Sequence, residues 1–193
     1  MKKKRFHPLL LDLWACFVLP AYTLLFAGSV TWFGTNFSVL AVTGEKHYRG
    51  FLLWGLLAGG YFLVLLWSLT GTVPGRGTRW TLRVLLLLSC GCLGVGLPLP
   101  YLPELFPGVA WTHTAMVMAS CVGMMGVLLA LLLCFYQEDR ARYRPLLRGW
   151  ALIVAVCGVL FVLVGIISTA LEVFFTISTV LLSRKLWILR REF

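Results

Sequence analysis

The feature that most limits how this 193-residue chain can fold is a succession of apolar runs, each close to the roughly 20 helical residues that cross a bilayer's hydrocarbon core. Bounding those runs by charge and by Pro or Gly gives six, at about 8–28, 51–70, 80–97, 112–135, 150–167 and 170–189. The third ends at Pro98-Leu99-Pro100, where proline stops a helix. The stretch from Trp150 to Leu189 is too long for one span, and dividing it near Ser168-Thr169 gives two spans joined by a very tight turn. Composition agrees, since 12% of the residues are charged where a soluble domain has about 25%. The chain is therefore expected to be all-α, a polytopic membrane protein in which residues 1–193 form one domain of six transmembrane helices in a single bundle.

A net charge of +10 would in a soluble chain suggest nucleic acid. Its placement says otherwise. With the amino terminus cytoplasmic, 15 of the 17 Lys and Arg fall on the inner side, and only Lys46 and Arg49 fall outside. That is the positive-inside pattern, so both termini are expected in the cytoplasm. Basic residues flank every inner span end instead of forming one patch. Their expected partners are membrane lipids with anionic headgroups, and no nucleic acid. Lys2 to Arg5, the apolar run and Ala27-Gly28-Ser29 also imitate a cleavable signal peptide. The length of the run favours an uncleaved span, as does Asp12, placed either to pair with Lys2 to Arg5 or to snorkel.

Small residues mark the expected packing seams, because helices in lipid associate by close backbone approach and a few polar contacts. Gly55 and Gly59 form such a pair on the second span, and Ala115, Ala119 and Gly123 extend the pattern on the fourth. An internal contact is the simpler use of Gly55 and Gly59, and a homo-oligomer through that face is the alternative. All six cysteines fall inside spans and read as packing thiols. Cys90-Gly91-Cys92 lacks further ligands for a metal, and no cofactor motif occurs.

Polar residues at membrane depth carry the functional information, since each is unfavourable there unless paired or wetted. The acids and histidines on the cytoplasmic side, Asp12, His7, Glu138, Asp139 and Glu192, read as solvated neighbours of the basic clusters. Glu45, His47, Glu104, His113 and Glu172 lie outside with few cations to pair them. Glu172 opens a stripe with Thr176, Thr179 and Ser183 on one face of the sixth span. His113 shares a face with Ser120, apart from the small-residue seam, and is expected to turn toward something polar, with Glu172 the first candidate. Interfacial water around Glu172, a capping His113, and hydroxyls bonded to their own helix are the plain alternatives. Residues 32–40, Trp-Phe-Gly-Thr-Asn-Phe-Ser-Val-Leu, follow a full-length span yet carry Asn36 and Ser38 among apolar side chains. They fit an interfacial or re-entrant element better than a free loop. The sequon Asn36-Phe37-Ser38 stands too close to the membrane to serve in glycosylation.

Four patches resemble a known group. Asn36-Phe37-Ser38 with Arg49-Gly50-Phe51, then Glu104-Leu105-Phe106-Pro107 leading to His113 and Ala115, then Ser168-Thr169-Ala170-Leu171-Glu172, resemble the six-span damage-regulated autophagy modulators. That group includes the FGF-receptor-activating proteins and related bacterial membrane proteins. The resemblance implies six helices, cytoplasmic termini and an outer-side His and Glu at His113 and Glu172. The short loops here look more bacterial than animal, which implies a bacterial plasma membrane. Thr35-Asn36 and Thr112-His113 also resemble the androgen-induced-gene family of six-span lipid-ester hydrolases, which use a threonine nucleophile and a histidine.

Three functions are open to such a chain. The first is non-enzymatic: a lipid or partner held at an outer-leaflet recess formed by Asn36, Trp54, His113 and Glu172. The second is a small transporter, or a subunit of one, with Glu172 and its hydroxyl stripe lining a polar path, although no broken-helix signature accompanies it. The third is an intramembrane hydrolase or acyltransferase for lipid esters, with Thr35 or Ser38 as nucleophile, His113 as base and Glu172 orienting the imidazole. A metal site from Glu45, His47, His113 and Glu172 has suitable ligand types, but Glu45 and His47 read as solvated surface, so none is expected.

Overall fold

A computed structural model describes residues 8–28 and 30–191 of the chain. The Lys2 to Arg5 cluster, His7, Ser29 and Glu192 lie outside them. The first rod is composite: α1 (Pro8–Leu13), a π-helical turn (Trp14–Val18) and α2 (Leu19–Ala27) follow one another with helical angles at the junctions. Pro20 explains the widened turn, since it has no N–H for the Cys16 carbonyl and its ring would press on that carbonyl in a regular α-turn. A short helix α3 (Phe37–Ala41) follows, then α4 (Glu45–Thr70), α5 (Arg76–Gly96), α6 (Pro107–Glu138), α7 (Arg140–Val164) and α8 (Thr169–Arg191). No strand occurs among the described residues.

Five of these segments are long and apolar enough to cross a membrane: residues 9–27, α4, α5, α6 and α7. The chain is thus an integral membrane protein. Its surface agrees, for on α7 Val162 and Leu163 are 80% and 77% exposed, as side chains facing lipid would be. The other long helix, α8, is the most enclosed. Val173, Thr176, Val180, Ser183 and Leu186 are all buried at helical spacing, and the helix packs on α7, α2, α4 and the π-turn. Being shielded by protein on most of its girth, α8 can carry hydroxyls and charges that the lipid-facing helices cannot.

The helices extend past the apolar runs that announce them. α4 begins at Glu45 and not near 51, and α7 begins at Arg140 and not near 150. Hydropathy registers only the part of a helix in hydrocarbon, whereas caps fix its ends. Asp139, expected as a solvated neighbour of the arginines, is the α7 N-cap and accepts the Arg142 N–H at 3.1 Å. The α7–α8 turn falls just before the expected Ser168-Thr169 division, starting at Gly165, whose φ of +76° ends α7 in the left-handed region that glycine favours.

Glycines set the close crossings. A Cβ on Gly55 would stand 2.3 Å from Leu97 Cδ2, and one on Gly59 would stand 2.7 Å from Leu93 Cδ2. The Gly55/Gly59 seam therefore lies inside the bundle against α5. α5 and α6 approach closely at Gly96, where a Cβ would meet Met116 Cβ at 2.8 Å, and at Gly123, where it would meet Ser89 Oγ at 2.1 Å.

The two ends of the bundle differ. Arginines crowd the end where α4 and α8 finish. Asp12 there pairs with Arg184 at 2.8 Å, a partner from the far end of the sequence, while the expected pairing with Lys2 to Arg5 falls outside the described residues. Glu138 pairs with Arg190, whose guanidinium also covers the Phe135 ring. At the opposite end, α3 lies over the mouth between α2, α4 and α8 as a plug.

Candidate functional site

The plug is built from residues 32–41. Asn36 is its N-cap: the backbone is extended at φ −138°, and Oδ1 accepts the Val39 N–H at 2.8 Å. Phe37 is wholly buried, with Phe26 and Trp54 edge-on at 5.1 and 5.0 Å between ring centres, so the aromatic anchors the helix into the bundle. Trp54 also ties α4 to α2, its Nε1–H donating to Thr23 Oγ1 at 3.1 Å.

α3 and α8 cap one another. Glu172 Oε2 accepts the Phe37 N–H, the first amide of α3, at 2.7 Å. In return the loop before α3 offers its carbonyls to α8: Thr35 O accepts the Thr169 N–H at 2.7 Å and the Thr169 hydroxyl at 3.0 Å, and Trp32 O accepts the Ala170 N–H at 2.8 Å. Orphan amides at two helix starts are satisfied without water, which a segment at membrane depth requires. Residues 32–41 thus carry a short helix bonded reciprocally to α8, and are not a free loop.

His113, 3% exposed, sits in the second turn of α6. It faces polar partners, but Glu172 is not one of them. Nδ1 is 2.9 Å from the Gly96 carbonyl, and Nε2 is 2.8 Å from Ser38 Oγ. A carbonyl can only accept, so the Nδ1 proton points at Gly96. In the neutral ring Nε2 then holds the lone pair and accepts from the Ser38 hydroxyl. The Gly96 carbonyl lies at the end of α5, where it accepts the Leu99 N–H at 3.1 Å and keeps a second lone pair for the imidazole. The Gly96 close approach brings that carbonyl within reach. Phe51 and Tyr101 flank the ring at 6.3 and 5.9 Å between centres.

All six sequence-derived site residues therefore gather on or around α3, in roles that differ from those expected. Ser38 meets His113. Thr35 takes part through its backbone carbonyl, with no side-chain contact to His113. Asn36 and Glu172 are caps, Trp54 is a packing anchor, and Gly96 is the partner that sequence reading did not include. Its signal is a glycine just before Pro98, which marks an exposed helix-end carbonyl and a tight crossing. The hydroxyl stripe below Glu172 is buried, with Thr176, Thr179 and Ser183 at 4%, 1% and 0% exposure. Thr179 and Ser183 bond back to the carbonyls of Phe175 and Val180. Glu45 pairs with Arg49 and His47 with Thr43, well apart from this cluster in their bonding.

What the arrangement can do follows from its free valences. The α3 amides of Phe37, Val39 and Leu40 are taken by Glu172, Asn36 Oδ1 and Asn36 O. The Ser38 N–H has no acceptor among the described residues. A half-buried hydroxyl thus faces an imidazole lone pair, with an unused amide on its own backbone. Compared with known proteins, the chain matches no family, no curated protein and no solved structure.

Proposed function

We propose that this chain is a six-span bundle of the bacterial plasma membrane, α8 being the sixth span and both termini cytoplasmic, and that it hydrolyses or transfers an acyl group of a membrane lipid at its outer face. The 2.8 Å contact between Ser38 Oγ and His113 Nε2 carries the reading, because it is the hydrogen bond that nucleophile and general base require. Ser38, and not Thr35, is then the nucleophile. Its oxygen attacks the ester carbonyl as its proton passes to Nε2, and the carbonyl oxygen turns toward the Ser38 N–H. The ester C–O bond breaks with the proton returned to the leaving alcohol. Water or a second alcohol then takes the acyl group from Ser38 by the reverse path. Gly96 O holds the ring in the required tautomer, the task a carboxylate performs in the usual triad. Glu172 acts at one remove, as a positioning residue that holds the Phe37 amide beside the nucleophile.

The test is fatty-acid release from phospholipid vesicles by the purified protein. Ser38→Ala and His113→Ala should each lower it by about a thousandfold or more, and Thr35→Ala should leave it within a few fold. Absence of release by the parent protein, or release unaffected by Ser38→Ala, refutes the reading.

A second reading, lipid or partner binding without chemistry, is supported by the carbonyl that stands behind the imidazole in place of an acid. It expects lipid retention at α3 that survives Ser38→Ala unchanged.

A further inference from the structure

A second feature stands at the arginine-rich end, away from α3. A cavity of about 560 Å³, within the range of ligand sites, opens between α1, α4, α5 and α8. Leu11, Leu63, Val64, Ser68 and Leu87 line it with Trp67 and Trp187, and the two tryptophans lie within one turn or so of the ends of α4 and α8, where the arginines gather. Leu87 and Trp67 are 50% and 37% exposed, so the cavity opens laterally onto the bundle surface.

Each tryptophan carries a cation. The Arg83 guanidinium lies 4.6 Å from the Trp67 ring centre, and that of Arg191 lies 4.4 Å from the Trp187 ring centre. Arg83 is further steadied by its Nε–H bond to Thr70 Oγ1 at 3.2 Å. Arg184 and Arg190 at the same end are engaged with Asp12 and Glu138. Neither Arg83 nor Arg191 meets a carboxylate among the described residues, and each keeps guanidinium donors for an anion.

We propose that the cavity is a binding site for an anionic glycerophospholipid. One acyl chain lies along Leu11, Leu63, Val64 and Leu87, and the phosphate is held by Arg83 and Arg191 at the rim. Charge complementarity selects this occupant. An apolar slot open to hydrocarbon accepts any lipid tail, but two guanidinium groups that meet no carboxylate among the described residues favour a net negative lipid over a zwitterionic one. The tryptophans serve both parts, presenting an apolar edge to the chain and a face to the cation.

The position of the tryptophans provides the probe. The protein is reconstituted in phosphatidylcholine vesicles doped at equal mole fraction with either phosphatidylglycerol or phosphatidylcholine brominated on the acyl chain, and tryptophan quenching is recorded. Brominated phosphatidylglycerol should quench at lower mole fraction, with a preference of about fivefold for each arginine. Arg83→Gln with Arg191→Gln should equalise the two lipids, while Arg144→Gln with Arg148→Gln, exposed at the same end but off the cavity, should leave the preference intact. Val64→Phe, which fills the slot and keeps both cations, should also abolish it. Equal quenching by the two lipids in the parent protein overturns the proposal without any variant. A preference that survives Val64→Phe overturns it too, by assigning the effect to surface charge alone.

Discussion

Gly96→Ala is the sharpest perturbation of the α5–α6 crossing that positions His113. A Cβ at 96 would stand 2.8 Å from Met116 Cβ and 3.1 Å from the Val117 backbone N. Ordinary carbon contacts lie at about 3.5–4.0 Å. Neither obstacle is the far end of a flexible side chain, so relief requires α5 and α6 to separate by roughly 1 Å. Overpacking of this kind destabilises by about 1–3 kcal/mol. The same displacement would lengthen the His113 Nδ1 to Gly96 O bond, now 2.9 Å, beyond hydrogen-bond range and release the imidazole from Ser38. Gly91 and Gly94 are matched controls on the same helix, because a Cβ at either meets nothing within 4 Å. There Ala should be neutral or stabilising by about 0.5–1 kcal/mol, from the reduced backbone freedom of the unfolded chain. The assay is thermal unfolding of the purified protein in detergent beside lipid-ester turnover. Gly96→Ala should lower both, and the controls should lower neither. Equal melting temperatures for Gly96→Ala and Gly94→Ala would refute the argument that this crossing holds the ring.

Two further outcomes follow from the same geometry. Gly123→Ala drives a Cβ to 2.1 Å from Ser89 Oγ and should destabilise by about 1–3 kcal/mol, while the double variant with Ser89→Ala should recover much of the loss, measured as a melting-temperature cycle. Asn36→Ala removes the α3 cap and should lower stability by about 0.5–2 kcal/mol, read as faster proteolysis within residues 32–44, whereas Asn36→Asp keeps the acceptor and should stay close to the parent.

Much of the architecture was legible along the chain, and the reason is physical. A lipid solvent demands long apolar helices, so the spans appear as runs, and α4 to α7 stand where the runs place them. The boundaries were less legible because capping bonds set them: Asp139 starts α7 among the arginines, and Gly165 ends it before the expected turn. The site was legible as a set of residue types, since buried polar groups are few in such a chain. Their partners were not. Periodicity puts His113 and Glu172 at neighbouring helix ends and suggests that they meet, yet α3 lies in between and separates them, Ser38 taking the imidazole and Phe37 taking the carboxylate.

By itself, then, the sequence determined the solvent of the protein, the number of long helices and which few polar residues had to be accounted for. Those properties depend on local hydropathy and need no knowledge of neighbours. Only the tertiary structure decided who bonds to whom, because a backbone carbonyl such as Gly96 O or an amide such as Phe37 N is identical at every residue and becomes a specific partner through position alone. The same holds for Arg83 and Arg191. In sequence they are two of 17 basic residues, and what sets them apart from the paired Arg184 and Arg190 is that folding places each on a tryptophan beside an apolar cavity.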